Sequence, residues 1–240
     1  MLLKAVTLDY WDTIYHAIST PDRVRRRHEC LQLMLKRLGA EVPVEEFTRL
    51  YKASAAEADR WWRDEHRGYS TADRIRWLLS QLAIERPEHC EHIARAVAEI
   101  DDTLTAVPPP LLDGAADGIR ELASKFKLAI ISDTGFASGR AQDKLLAQDG
   151  ILEHFSATVY SMDVGHAKPR PEPFLRALEL LGVSASEALH VGDIERTDVG
   201  GALGVGMRAV RLDQVRPGGS SDAEYVATSF DDLVRYLKSF

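Results

Sequence analysis

Asp9, the Ser132-Asp133 pair and Asp193 each stand at the end of a short apolar run, and Lys168 lies in the loop Gly165-His166-Ala167-Lys168-Pro169. If those runs are parallel strands, their ends share one rim, where open α/β sheets bind ligands. Carboxylates, a hydroxyl and an ammonium would then converge. Clustered carboxylates are costly without a cation, and Mg²⁺ favours one or two such oxygens completed by water and phosphate. A lysine beside them suits an anionic group as a point charge. The chemistry such a set fits is phosphoryl transfer to a carboxylate nucleophile.

The elements that must position these groups are visible in the spacing. Ala5 to Leu8 reads as a buried parallel strand ending at Asp9. Apolar residues then step by three and four in four blocks: Val24 to Leu38, Phe47 to Trp62, Ile75 to Leu82 and Ile93 to Leu104. Pro108-Pro109-Pro110 ends this helical stretch as a stiff connector. Beyond it, strands at 128–131, 157–161, 188–191 and 208–212 alternate with helices at 115–126, 138–148, 172–181, 197–203 and 230–237. The expected fold class is therefore α/β: a doubly wound parallel sheet of residues 1–14 and 107–240, interrupted by a helical bundle of residues 15–106.

Charge and composition narrow the classes further. Thirty Lys+Arg against 37 Asp+Glu leave a net charge of −7, which gives no basic face for nucleic acid. No run reaches the ~20 apolar residues of a membrane helix, and the N-terminus lacks signal-peptide character, so a cytoplasmic protein without membrane partners is expected. Cys30 and Cys90 cannot frame a disulfide scaffold and read as small buried apolar side chains. Nothing in the sequence decides between a monomer and a homodimer.

Four motifs in order carry a resemblance. Leu8-Asp9-Tyr10-Trp11-Asp12-Thr13, Ile131-Ser132-Asp133, Lys168-Pro169-Arg170-Pro171 and Gly192-Asp193 through Asp198 resemble the four motifs of the haloacid dehalogenase-like (HAD) hydrolases, in the subfamily with a helical cap after the first motif. The resemblance implies a Rossmann-like core and an aspartyl intermediate on Asp9. Ser132 and the backbone N–H of Asp133 would hold phosphoryl oxygens, with Lys168 stabilising the charge shared by nucleophile and substrate. Asp9 and Asp193, supported by Asp198, would hold Mg²⁺ together with the Trp11 carbonyl, and Thr13 would orient the first loop. The substrate implied is a small, anionic phosphorylated metabolite.

One position departs from the phosphatase pattern. The family's phosphatases carry a second aspartate two residues after the nucleophile, as general acid and base, where this chain has Trp11. Indole offers one N–H donor and cannot shuttle a proton; losing an acid–base group costs about 10²–10⁴-fold. An aromatic residue there resembles the 2-haloacid dehalogenases, whereas the Asp193/Asp198 pair resembles the metal-binding phosphatases. Asp12, the next residue, is the candidate for a displaced acid. A protein that binds phospho-ligands with little turnover is a third reading. Arg23, Arg25, Arg26 and Arg27 read mainly as a solvated helix face, with one of them a candidate to reach over the site from the helical insert. Trp61, Trp62 and Trp77 read as core of the helical insert, with one of them a candidate to line the substrate pocket, and Tyr15 and His16 are candidates for gates beside the site.

Overall fold

A computed structural model describes residues 2–240. Six parallel strands form one sheet in the order β3-β2-β1-β4-β5-β6: β1 (Ala5–Leu8), β2 (Lys127–Ser132), β3 (Phe155–Tyr160), β4 (Ala188–Gly192), β5 (Arg208–Leu212) and β6 (Tyr225–Ala227). The chain builds outward from β1 to β3, then returns to β4 on the other side of β1. That reversal opens a crevice at the strand ends, beside Asp9.

Alternation along the strands covers both faces of the sheet. Val6, Leu8, Leu128 and Ile130 pack under α5 (Ala115–Ala123), α6 (Gly139–Gln148) and α10 (Phe230–Lys238) through Ile119, Leu145 and Leu233. Ala5, Ala129 and Ile131 face the opposite layer, where α8 (Pro171–Leu181) brings Phe174, Ala177 and Leu178, and α9 (Gly200–Gly204) brings Ala202. Each such buried leucine or phenylalanine contributes about 1.5–3 kcal/mol of burial. The short α7 (Ser161–Val164) leads into the Lys168 loop.

Between β1 and α5 the chain forms α1 (Pro21–Arg37), α2 (Val44–Arg63), α3 (Thr71–Gln81) and α4 (Cys90–Ala106). Local chemistry starts them: Thr20 caps α1, with Pro21 in its first turn, and Ser70 and Asp73 form a capping box on α3. Leu31, Met34, Phe47, Leu50, Ile75, Leu79, Ile93 and Ile100 give this insertion its own core. It docks on the sheet by specific contacts. Gly68 N–H donates to the Gly165 carbonyl at 3.0 Å, and the Ala167 N–H to the His66 carbonyl at 2.9 Å. A Cβ at Gly68 would fall 1.8 Å from the Ser161 carbonyl oxygen, so only glycine allows this approach.

Three sequence expectations change. Cys90 is exposed and Cys30 half-buried, because Cys90 opens α4 on its solvent side. Residues 197–203 are not one α-helix: Glu195–Val199 makes a π-helical turn before α9. The three-residue edge strand β6 was too short to leave a period-two pattern. No helix among the described residues is long and apolar enough to cross a membrane.

Candidate active site

Lys168 is the hub of the crevice. Its ammonium is 2 % exposed and donates to Asp9 Oδ1 at 2.5 Å and to the Ile131 carbonyl at 2.9 Å, with Asp198 Oδ1 2.8 Å away. Three sequence-distant segments therefore meet on one charge: the end of β1, the loop before α8 and the turn after β4. Asp193 completes the group, and carboxylate oxygens of Asp9, Asp193 and Asp198 lie within 4.8 Å of one another.

The turn after β4 is shaped for Asp198. Its Oδ2 accepts from the Ile194 N–H at 2.9 Å, and its backbone N–H donates to the Ile194 carbonyl. A Cβ on Gly192 would lie 2.3 Å from Asp198 Cγ, so glycine is required where the carboxyl crosses the strand end. The π-helical turn supplies the extra residue that aims Asp198 inward, as such turns often do at functional sites. Behind it, His190 lies 3.5 Å from Asp198 Oδ1 and 2.8 Å from the Thr7 hydroxyl. Burial lowers the His190 pKa, with Asp198 opposing it.

Electrostatics set the character of the crevice. Five carboxylates line it (Asp9, Asp12, Asp133, Asp193 and Asp198) against two cations, Lys168 and Arg216. Burial raises Asp9 well above the usual carboxylate range, opposed by Lys168 and reinforced by Asp198 and Asp193. Burial also lifts Asp193 to about 7, with repulsion from Asp198 adding to it. Asp198 goes the other way: despite the penalty of burial, Lys168 and His190 hold it low. Among the described residues, Asp193 Oδ2 is buried without a hydrogen-bond partner; Arg216 Nε lies 3.3 Å away but is not aligned for one. A buried carboxylate oxygen with an open lone pair, flanked by two more carboxylates, fits a hard divalent cation such as Mg²⁺.

The remaining expected residues divide. Trp11 lines the crevice. Asp133 lines it too, accepting from Trp62 Nε1 at 2.9 Å and from the Lys168 N–H at 3.1 Å. Trp62 thus packs against the buried Trp61 of the insertion and also reaches the site. Ser132, expected as a phosphoryl ligand, sits behind the crevice wall. Its hydroxyl donates to Gln142 Oε1 at 2.8 Å, is buried, and does not line the crevice, because α6 presents that amide directly to the strand end. Thr13 is fully buried, its Oγ1 without a hydrogen-bond partner among the described residues, away from the crevice lining.

Asp12 occupies the left-handed backbone region at φ 55°, a conformation aspartate tolerates better than most residues. Its Oδ1 accepts from the Ala17 N–H at 2.7 Å and its Oδ2 from Arg216 Nη2 at 2.7 Å. Both oxygens are thereby engaged as acceptors. Tyr15 is buried with its hydroxyl on Asp149, and neither it nor His16 lines the crevice. Arg216, in the loop after β5, was not anticipated, since a lone arginine in a Gly-rich loop carries no periodic signal.

Comparison with known proteins places these features in context. Residues 3–206 match the family model of the haloacid dehalogenase-like hydrolases. The chain is 29 % identical over 213 residues to the glyceraldehyde 3-phosphate phosphatase of Methanopyrus kandleri, covering 88 % of this chain and 84 % of that one. It is 43 % identical to the phosphoserine phosphatase of Thermus thermophilus over 77 residues, 32 % of this chain and 31 % of that protein. Among solved structures, a 2-haloacid dehalogenase from Pseudomonas syringae superposes with a TM-score of 0.71 at 24 % identity over 99 % of both chains. A HAD phosphatase from Thermococcus onnurineus gives 0.67 at 22 % identity over 98 % of both.

Proposed function

This chain belongs to the haloacid dehalogenase-like hydrolases, and from that premise we propose that it is a Mg²⁺-dependent phosphatase acting on a small phosphorylated metabolite, with Asp9 as nucleophile. The observation that carries the reading is the buried triad Asp9, Asp193 and Asp198 gathered around Lys168, with Asp193 Oδ2 left unpartnered. Such a site calls for a cation and then for an anionic substrate. The relatives named for phosphate-ester hydrolysis agree with it.

Asp9, Asp193 and Asp198 would hold the Mg²⁺, which when bound supplies positive charge beside the transferring phosphoryl group. The chain's own residues do the rest. Lys168 orients Asp9 by donating to its Oδ1 and favours the carboxylate against the burial that raises it. The other oxygen of Asp9 attacks phosphorus, the bond to the ester oxygen breaks, and an aspartyl phosphate forms. Water then attacks that phosphorus, its proton passing to solvent, and the bond from phosphorus to the Asp9 oxygen breaks, releasing phosphate and restoring the carboxylate. Trp11 cannot give the departing alkoxide a proton, and Asp12 is engaged as an acceptor on both oxygens. The leaving group therefore takes its proton from solvent, so esters with acidic leaving groups are favoured.

Trp11 supports a second reading, hydrolysis at carbon in the manner of 2-haloacid dehalogenation, because an indole lining the same crevice as Asp9 offers apolar contact in place of proton transfer. A panel of phosphate esters and 2-haloacids, run with Mg²⁺ and with EDTA, separates the two. Phosphate release with Mg²⁺ that EDTA abolishes upholds the phosphatase. Haloacid consumption that EDTA leaves intact would replace it.

A further inference from the structure

Beside the crevice lies a second cavity of about 210 Å³, which shares Trp11, Ala17 and Gly135 with it. Two arginines of α1, Arg23 and Arg27, line this second space, with Phe136 at its wall. They are not the solvated face that the run of arginines suggests. Arg23 is 2 % exposed and Arg27 7 %, whereas Arg25 projects outward and takes both Asp22 and Glu29 as partners.

The buried pair is left without counter-charge. Among the described residues, Nε and Nη2 of Arg23 and Nε of Arg27 have no hydrogen-bond partner. Arg27 donates to the Ser19 hydroxyl at a long 3.4 Å and lies 5.3 Å from the centre of the Phe136 ring, with Tyr51 beside it. A third guanidinium, Arg74, stacks 3.5 Å over the Phe136 ring and donates to Ser54, with its own Nε unpartnered. Burial lowers all three, Arg74 to about 10, and repulsion from Arg27 adds to the lowering at both Arg23 and Arg74. Buried guanidinium groups without carboxylates are costly, and buried charges are normally paired. Guanidinium groups that line a cavity without a carboxylate partner fit an oxyanion, and their planar fork matches carboxylate and phosphate oxygens.

We infer that Arg23 and Arg27 form a second oxyanion subsite, selecting substrates that carry another carboxylate or phosphate at the end remote from the scissile phosphoryl group. This rests on the phosphatase reading of the adjoining crevice. Trp11, shared by both cavities, would lie along the link between the two anionic ends.

The test compares two esters of equal length, 3-phosphoglycerate and glycerol 3-phosphate, which differ in a carboxylate. Wild type should prefer the carboxylate ester in kcat/KM. Arg23→Met and Arg27→Met should each lower that preference by about 10–100-fold, the value of a charge-assisted hydrogen bond. Both ligand-free variants should melt above wild type, because a buried unpaired charge is gone. Arg27→Lys, which keeps the charge but not the fork, serves if the methionine variants do not accumulate, and it too should lower the preference. Propane-1,3-diyl bisphosphate distinguishes the sources: preference for it over 3-phosphoglycerate assigns a phosphate tail, the reverse a carboxylate tail. If no ester is hydrolysed, the phosphatase reading has failed, and calorimetric binding of the same compounds decides the subsite alone. Equal affinity or turnover for charged and neutral tails in wild type, or equal losses for both in the variants, would overturn the inference.

Discussion

Replacing Lys168 by methionine keeps the length of the side chain and removes the charge on which the site is assembled. The lysine is 2 % exposed and the two carboxylates it joins, Asp9 and Asp198, are 9 % and 2 % exposed. Breaking a buried ion pair by deleting one partner costs about 3–5 kcal/mol, because the other charge is stranded. At ~2–4 °C per kcal/mol for a chain of this size, the variant should melt about 6–20 °C below wild type in EDTA. The site would also be one charge more negative, so Mg²⁺ should bind the variant more tightly and raise its melting temperature more. At a free concentration ~100-fold above Kd that recovery is about 2.7 kcal/mol. Differential scanning calorimetry of both proteins in EDTA and across a Mg²⁺ titration measures these shifts. A variant melting within about 2 °C of wild type, or equal Mg²⁺ shifts in the two proteins, would refute the idea that Lys168 balances a cation-seeking cluster.

Other perturbations probe separate parts of the site. Asp193→Ala should weaken Mg²⁺ binding at least 10-fold by calorimetry while leaving the metal-free protein no less stable, since it removes a buried carboxylate that repels Asp198. Arg216→Ala should tighten Mg²⁺ by roughly 2–5-fold: its guanidinium shadows Asp193 but is half-exposed, where an ion pair is worth only about 0.2–1 kcal/mol. Trp11→Asp should speed hydrolysis of an alkyl phosphate by about 10-fold or more, and of p-nitrophenyl phosphate less, because only the poor leaving group needs a proton. An unchanged ratio of the two rates would show that leaving-group protonation is not limiting.

The strand ends were legible because an apolar run that stops abruptly at a carboxylate must bring that charge out of the core, to the rim where water or a ligand can meet it. Asp9, Asp133 and Asp193 all line the crevice, and Lys168 arrives from the loop between β3 and α8. The four helices of the insertion were legible from their spacing. Side-chain direction was not. Ser132 and Asp133 are neighbours, yet one turns to Gln142 and the other to the crevice. Trp61 and Trp62 divide in the same way, one into the insertion core and one onto Asp133. Arginine patterning misled most: Arg23 and Arg27, four apart on α1, look like a wet face until the packing of the insertion against Phe136 buries them. Arg216 left no trace, because a loop residue reaching across the rim depends on tertiary geometry alone.

The central claim is a phosphoryl group carried transiently on Asp9. Acid-quenched mixtures of the protein, Mg²⁺ and a turned-over phosphate ester, digested and examined by mass spectrometry, test it most directly. The expected result is a phosphoryl adduct on the peptide containing Asp9, absent when EDTA replaces Mg²⁺ and absent in Asp9→Asn, which should also be inactive. Steady phosphate release by Asp9→Asn, or an adduct located on another residue, would contradict it.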